Sequence, residues 1–265
     1  MVVIGLSASL SSCNLIASNK SAEEQFQLSL SSLASIEKLA FTGEAALRRN
    51  DQRMFEQHFT YEGQLTNHDM LTLQMNVPIQ SVSTDTINKD QEQKKTGRIS
   101  TNLRRIQGGW VHTSSLDNGV NHALARYNPF SQLEGIVGVN KSIQEETSAS
   151  RGTRILRIEL KPEDALQWLT KQLSAEMADI RAELNEQSPT YPSDIQTELE
   201  ATWKQGQEQL QSMLKEADVN TVYHLTIDDN SNIPLRLTSE SIMTYLDLEG
   251  NEQSETVVND ITFKP

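Results

Sequence analysis

Arg154-Ile155-Leu156-Arg157-Ile158-Glu159-Leu160-Lys161-Pro162-Glu163-Asp164-Ala165-Leu166 is the stretch in which the spacing of apolar residues changes. As far as Leu160 it reads as a strand, with Ile155 and Leu156 in an Arg-rich setting. Pro162 cannot donate to a sheet ladder and breaks that period. Beyond it Leu166, Leu169, Leu173, Met177, Ile180 and Leu184 step by 3, 4, 4, 3 and 4, which is the seam of one helix face. Ser188-Pro189-Thr190-Tyr191-Pro192-Ser193-Asp194 reads as a turn ending in an N-cap, and a second seam follows through Ile195, Leu199, Trp203, Leu210, Met213, Leu214 and Ala217. Two such helices joined by a Pro-marked turn predict an antiparallel helical hairpin over 163–218. From Glu163 to Asp218 there are 12 acidic and 4 basic residues, so the hairpin's outer face is acidic, as a solvated helix face commonly is.

On both sides of the hairpin the period is two. Upstream, Leu39, Phe41, Gly43, Ala45 and Leu47 alternate with Thr42, Glu44 and Arg48. Phe55, Phe59, Tyr61, Gly63 and Leu65 alternate with Glu56, His58, Thr60, Glu62 and Gln64. Leu71, Leu73, Met75 and Val77 repeat the pattern until Pro78, and strands resume from Gly97 to Ile106 and from Gly109 to Ser115 around Gln107-Gly108-Gly109. The polar stretch Asp85 to Lys95 reads as a loop or hairpin tip, and Asn128-Pro129-Phe130 opens a short helical segment reaching Ile136 and Val139. Downstream, Tyr223-Leu225-Ile227, Leu235-Leu237 with Ile242-Thr244-Leu246, and Val257-Asn259-Ile261-Phe263 predict three closing strands. Their turns are Asp228 to Asn232 and Leu248 to Asn251. At the N-terminal side, Ser21 and Glu24 fit a capping box ahead of a helix over Ala22 to Ser35. One apolar and one polar face per strand is the mark of an antiparallel sheet with one side in water. The expected fold class is therefore α+β: a curved antiparallel sheet with an inserted helical hairpin packed across one face as a lid, forming a single domain over 21–265.

Composition narrows the functions. The 265 residues carry a net charge of −13, so the chain has no basic face for nucleic acid and little attraction for anionic lipid. With 36% hydrophobic and 5% aromatic residues, the core must rest on aliphatic side chains. The single cysteine excludes an intramolecular disulfide. His58, His68, His112, His122 and His224 show no metal-ligand spacing, and neither a Gly-x-Ser-x-Gly elbow nor a Gly-rich phosphate loop is present. Asp228-x-Asn230-x-Asn232 imitates half of a calcium loop, but Ile233 and Ser239 stand where Gly and Glu belong, so it reads as a β-turn. No catalytic residue, metal or cofactor is expected, and the chain is read as a non-enzyme.

The first residues give an address. Val2 to Leu10 is an uncharged run of nine residues, too short to span a bilayer, and it leads into Leu10-Ser11-Ser12-Cys13. This resembles a bacterial lipobox, although the first basic residue is Lys20, so a positive n-region would have to precede Met1. The resemblance implies a signal peptide over 1–12, a diacylglycerol-modified Cys13, a tether over 13–20 and an extracytoplasmic domain anchored to the cell membrane by acyl chains. The strands over Ala40–Leu47 and Phe55–Leu65, with Tyr223-His224-Leu225-Thr226-Ile227-Asp228 restarting at Ile233-Pro234-Leu235, resemble the LolA/LppX-like superfamily, which includes Gram-positive envelope lipoproteins. That likeness implies a half-barrel closed by helices around an apolar space, without catalysis, and a lipid, acyl chain or apolar peptide as ligand. Phe55, Phe59, Tyr61, Leu71, Leu73 and Met75 are the candidate lining residues, with Leu169, Leu173 and Trp203 as the lid. The alternative is a solid core and a tethered protein-interaction or sensor module that meets a basic partner through the acidic hairpin.

Overall fold

The computed structural model describes residues 20–50, 52, 54–78, 96–113, 123–148, 150–187 and 190–265. Cys13, its leader, most of the tether and the polar stretch Asp85 to Lys95 lie outside the described residues.

Helix α1 (Ala22–Ala34) begins as its sequence dictates: Ser21 Oγ accepts the Glu24 amide at 3.2 Å, and Glu24 Oε2 accepts the Ser21 amide at 2.7 Å. Five strands follow, β1 (Leu39–Arg49), β2 (Gln57–Thr66), β3 (Met70–Pro78), β4 (Thr96–Ile106) and β5 (Gly109–His112). Gln107 and Gly108 join the last two with φ of 51° and 82°, the positive pair that a tight two-residue hairpin requires. Helix α2 (Pro129–Val137) comes next, with Pro129 at its first position and Asn128 as cap. Strands β6 (Lys141–Glu146) and β7 (Thr153–Leu160) precede helices α3 (Pro162–Gln187) and α4 (Ser193–Lys215), and β8 (Asp218–Asp228), β9 (Pro234–Leu246) and β10 (Glu252–Lys264) close the chain.

Among the described residues, ten strands form one antiparallel sheet in the order β5-β4-β3-β2-β1-β10-β9-β8-β7-β6. It is curved and unclosed, an α+β half-barrel: the patterning predicted the antiparallel strands, and the resemblance implied the half-barrel. The first and last strands meet at its centre, where Phe41 is opposite Phe263. Strands β7 and β8 are neighbours, so the helical hairpin is an excursion between two paired strands and leaves their ladder intact. The core lies on the inner face. Phe26 and Leu33 of α1 and Phe130, Leu133 and Ile136 of α2 are buried in one cluster with Leu39, Phe41, Leu73, Leu225, Leu237 and Ile261. Burial of a Leu or Phe side chain contributes about 1.5–3 kcal/mol, so this cluster dominates the stabilisation of the fold.

Several boundaries differ from the sequence expectation. β6 was not expected: Lys-Ser-Ile-Gln-Glu-Glu carries almost no apolar alternation because it is an edge strand, and its pairing with β7 supplies the order instead. Phe55 falls before β2, whose ladder opens at Gln57. The Leu235–Leu237 and Ile242–Leu246 segments form one continuous strand, β9. Helix α3 meets the sheet through its first turns, where Ala165 is buried, while farther out the hairpin packs on itself. There Trp203 Nε1 donates to the Met177 carbonyl at 3.0 Å, and the Arg181 guanidinium sits 4.3 Å from the Trp203 ring centre.

Candidate functional site

Strand register grades the inner face along the barrel axis. One row across the sheet is Leu225, Leu237 and Ile261, all buried and apolar. One step of the pleat away the row is Tyr223, Ser239, Asn259, Ala45 and Phe59, and the next is Thr221, Ser241, Val257, Leu47 and Gln57. Ser239, Asn259, Thr221 and Ser241 therefore interrupt the larger side chains where the sheet passes beneath α3. Packing α3 over Ser239 and Ser241 leaves a cavity of about 310 Å³, whose far wall is Trp168, Leu169, Gln172 and Leu173. Those four positions share one helix face, and Arg126, Tyr127 and Gln132 complete the wall beside α2.

The wall is held by specific contacts. A β-carbon at Gly135 would stand 2.8 Å from Trp168 Nε1, so the absent side chain lets the indole lie against α2. Tyr127 meets Phe59 edge-on at 4.9 Å and Tyr61 at 5.3 Å between ring centres. Tyr61 donates to Asn259 Oδ1 at 2.7 Å, and the Thr221 and Ser241 hydroxyls pair at 2.9 Å. Burial pushes the phenols of Tyr61, Tyr127 and Tyr223 above the usual tyrosine value, so they remain neutral. Arg126 forms a fork with Glu176 of α3, Nε to Oε1 at 3.0 Å and Nη2 to Oε2. Burial acts to lower the Arg126 guanidinium, but the hydrogen bond and charge of Glu176 more than offset it, leaving its pKa raised. The other charged lining residue, Glu255, is paired with Arg49 Nε at 2.9 Å.

Depressions of about 340, 360 and 400 Å³ also lie on the sheet, but these are furrows lined mainly by outward side chains such as Glu44, Glu62, Gln74 and Asp260. A groove of about 270 Å³ separates α1 and α2 beside Leu30, Trp110 and Leu133. The space under α3 joins an apolar helix wall to convergent polar groups and lies between the sheet and a helix of the hairpin. Among the described residues no three His, Cys, Asp or Glu side chains converge to hold a metal ion.

The sequence candidates divide. Phe59, Leu169 and Leu173 line the cavity. Tyr61 lies at its edge, joined to it through Asn259 and Tyr127. Leu71 and Leu73 are buried at 1% and 0% exposure in the solid core, and Met75 packs against that core. Trp203 belongs to the outer hairpin, and Phe55 is 44% exposed beneath the Arg48 guanidinium. Trp168, Tyr127, Gln132, Ser239 and Ser241 were not foreseen. The signal available for the serines was a pair of small residues at inward positions of a strand.

No protein-family model matches the chain, and no curated protein matches its sequence. Among solved structures it is similar to lipovitellin, in a structure of lipid–protein interactions, at 7% identity and TM-score 0.38 over 86% of this chain. The chain spans only 25% of that protein's length. It is also similar to a LolA superfamily protein from Nitrosomonas europaea, at 11% identity and TM-score 0.25, covering 92% of this chain and 93% of that one. A putative outer membrane lipoprotein-sorting protein domain from Vibrio parahaemolyticus is similar at 9% identity and TM-score 0.21, covering 92% and 93%.

Proposed function

We propose that this chain is a non-enzymatic extracytoplasmic lipoprotein, anchored to the cell membrane through acyl chains on Cys13, that binds a hydrophobic ligand between its sheet and helices. The observation that carries the reading is the cavity of about 310 Å³ under α3. Its size reaches the lower range of small-molecule sites, which starts at about 300 Å³. Phe59, Leu169 and Leu173 offer aliphatic and aromatic contact, and each ligand methylene buried there gains about 0.8 kcal/mol. A lipid, a single acyl chain or an apolar peptide side chain suits such a space. Native mass spectrometry of protein extracted from its own membranes tests this: a co-purifying hydrophobic mass is expected, and repeated recovery of ligand-free protein overturns it. Cys13→Ala is expected to leave the membrane fraction or remain unprocessed; unchanged membrane association would overturn the anchor.

A second reading attaches to the outer hairpin, where the helices leave the sheet and Ile195 is 37% exposed. That surface, with its acidic excess, suits a basic protein partner. Reversing the charges of Glu183, Glu198 and Glu208 together, which leaves the Glu176 fork in the cavity wall intact, is expected to remove such a partner from pull-downs; an unchanged set of partners excludes this reading.

A further inference from the structure

Tyr223, Ser239 and Asn259 are successive register partners on β8, β9 and β10, so they stand side by side in one row of the sheet beneath α3, and all three line the cavity. Tyr223 is 3% exposed and Asn259 5%, yet neither is fully matched. The Tyr223 hydroxyl has no hydrogen-bond partner among the described residues and is not sealed from a water-sized probe. Tyr223 lines this cavity and none of the other four depressions, so the cavity is where that hydroxyl opens. Burial with no hydrogen bond to offset it keeps the phenol protonated, and therefore a donor. Asn259 Oδ1 accepts from Tyr61 at 2.7 Å, which leaves its Nδ2 hydrogens without a partner among the described residues. Ser239 Oγ is unpartnered among them as well. In the next row the like groups satisfy each other, Thr221 with Ser241 at 2.9 Å. Gln57, Tyr127 and Gln172 also lack a side-chain partner, but each is exposed or partly exposed and can meet bulk water.

The three uncommitted groups can all donate, and the amide N–H can do nothing else. Leaving buried donors unmet is costly, so the row calls for an oxygen with lone pairs. An ammonium head would set N–H against N–H, and a plain hydrocarbon would leave every donor unmet. Opposite the row, α3 presents hydrocarbon from Leu169 and Leu173. We infer that Tyr223, Ser239 and Asn259 form a donor row that receives the acyl oxygen of the occupant, the carbonyl of an ester or amide or a free carboxylate, while its hydrocarbon chain lies against Leu169 and Leu173. The inference rests on the ligand-binding reading above and names the group by which that cavity recognises its ligand.

The test uses the delipidated full chain and three probes of similar carbon number, each titrated below its solubility limit: methyl nonanoate, sodium nonanoate and butylbenzene, which has no oxygen. Trp168 in the wall reports occupancy by its fluorescence, excited beyond the absorption of the benzene ring. Tyr223→Phe removes only the hydroxyl, which bonds to nothing in the protein, so Tm should hold. The same variant is expected to weaken the ester or the carboxylate about five- to tenfold and to leave butylbenzene unchanged. Whichever acyl probe shows the loss, the ester or the anion, tells a lipid ester from a free fatty acid as the source of the oxygen. Should Tyr223→Phe fail to fold, Ser239→Ala takes its place and should show the same selective loss. Equal weakening of all three probes would mean that Tyr223 matters only by its shape, and overturns the inference. Acyl-probe affinities untouched by the substitution overturn it too, and mean that water alone meets the row. Binding of butylbenzene alone overturns the inference and leaves the ligand-binding reading standing, whereas binding of none of the three overturns both.

Discussion

Phe41 covers Gly63 across the β1–β2 ladder: the two are register partners, and a β-carbon at Gly63 would stand 2.2 Å from Phe41 Cζ. Two residues along the same strands the relation inverts, with the Tyr61 ring over Gly43 at 2.2 Å. Each glycine supplies the room that an aromatic ring fills, so the centre of the sheet carries its rings flush with the pleat. Gly63→Ala should therefore displace Phe41 and destabilise the fold by about 1–3 kcal/mol. Gly109→Ala, whose new β-carbon would meet nothing nearer than the Ile106 carbonyl at 3.9 Å, should cost less than about 0.5 kcal/mol. Urea denaturation of both variants checks this, and equal losses would refute it.

The cap of α2 sets where Gln132 stands. Asn128 is fully buried, and its Oδ1 accepts the Phe130 and Ser131 amides at 3.0 and 3.3 Å. Asn128→Ala is expected to cost about 1–2 kcal/mol in a thermal or chemical melt, while Asn128→Ser restores part of the loss because it can still cap. A neutral Ala variant would show that the cap does not hold the helix.

The fork between Arg126 and Glu176 ties the chain before α2 to α3 across the cavity wall. Arg126 is nearly half exposed at its side chain, so a double-mutant cycle with Ala at both positions should give a coupling of only about 1 kcal/mol, shrinking in high salt. Its larger effect should be kinetic. Glu176→Ala is expected to speed release of a bound hydrophobic probe several-fold in stopped flow, and an unchanged release rate counts against a latch.

Acid should loosen two turns. The Ser231 amide donates to Asp228 Oδ1 at 2.8 Å, and the Asn251 amide to Asp247 Oδ1 at 2.8 Å. Those backbone donors, first among the causes, hold both carboxyls below the usual aspartate range. Depressed folded values mean that the unfolded chain binds more protons. The stability contributed is complete above about pH 4, the unfolded value, and is lost as pH falls through the folded values. Asp228→Asn with Asp247→Asn should flatten the fall in Tm on acidification below about pH 4. An identical pH dependence in that variant would exclude these turns as the cause.

Filling the cavity separates binding from stability. Ser241 faces the space beneath α3, so Ser241→Leu should add apolar contact there, offsetting the loss of the Thr221 hydroxyl's partner so that the fold is retained, and weaken hydrophobic-probe binding more than tenfold. Retained binding would place the ligand elsewhere.

Much of this architecture was written in local patterns. Leu39 to Leu47 and Phe59 to Leu65 announced two-period strands, and Leu166 to Leu184 announced a helix seam, because one-sided burial imposes its period on the residues. The edge strand Lys141–Glu146 escaped because an edge receives its order from a neighbour's hydrogen bonds and needs little apolar pattern. Among site residues, Phe59, Leu169 and Leu173 were legible as apolar positions facing inward. Leu71 and Leu73 had the same signature and ended in the solid core, since alternation tells which face a residue takes but not what stands opposite.

The sequence by itself determined the order of most strands and helices, the sheet's two unlike faces, the hairpin's place between strands and the net charge of −13. Each follows from local spacing or from composition. Only the tertiary structure decided that there is a cavity and where it lies. That outcome required Ser239, Ser241 and Thr221, distant in the chain, to be brought into adjacent rows by strand register and then roofed by Trp168 and Leu173. A void is a property of what faces what, so it is set by register and helix placement and has no period of its own along the chain.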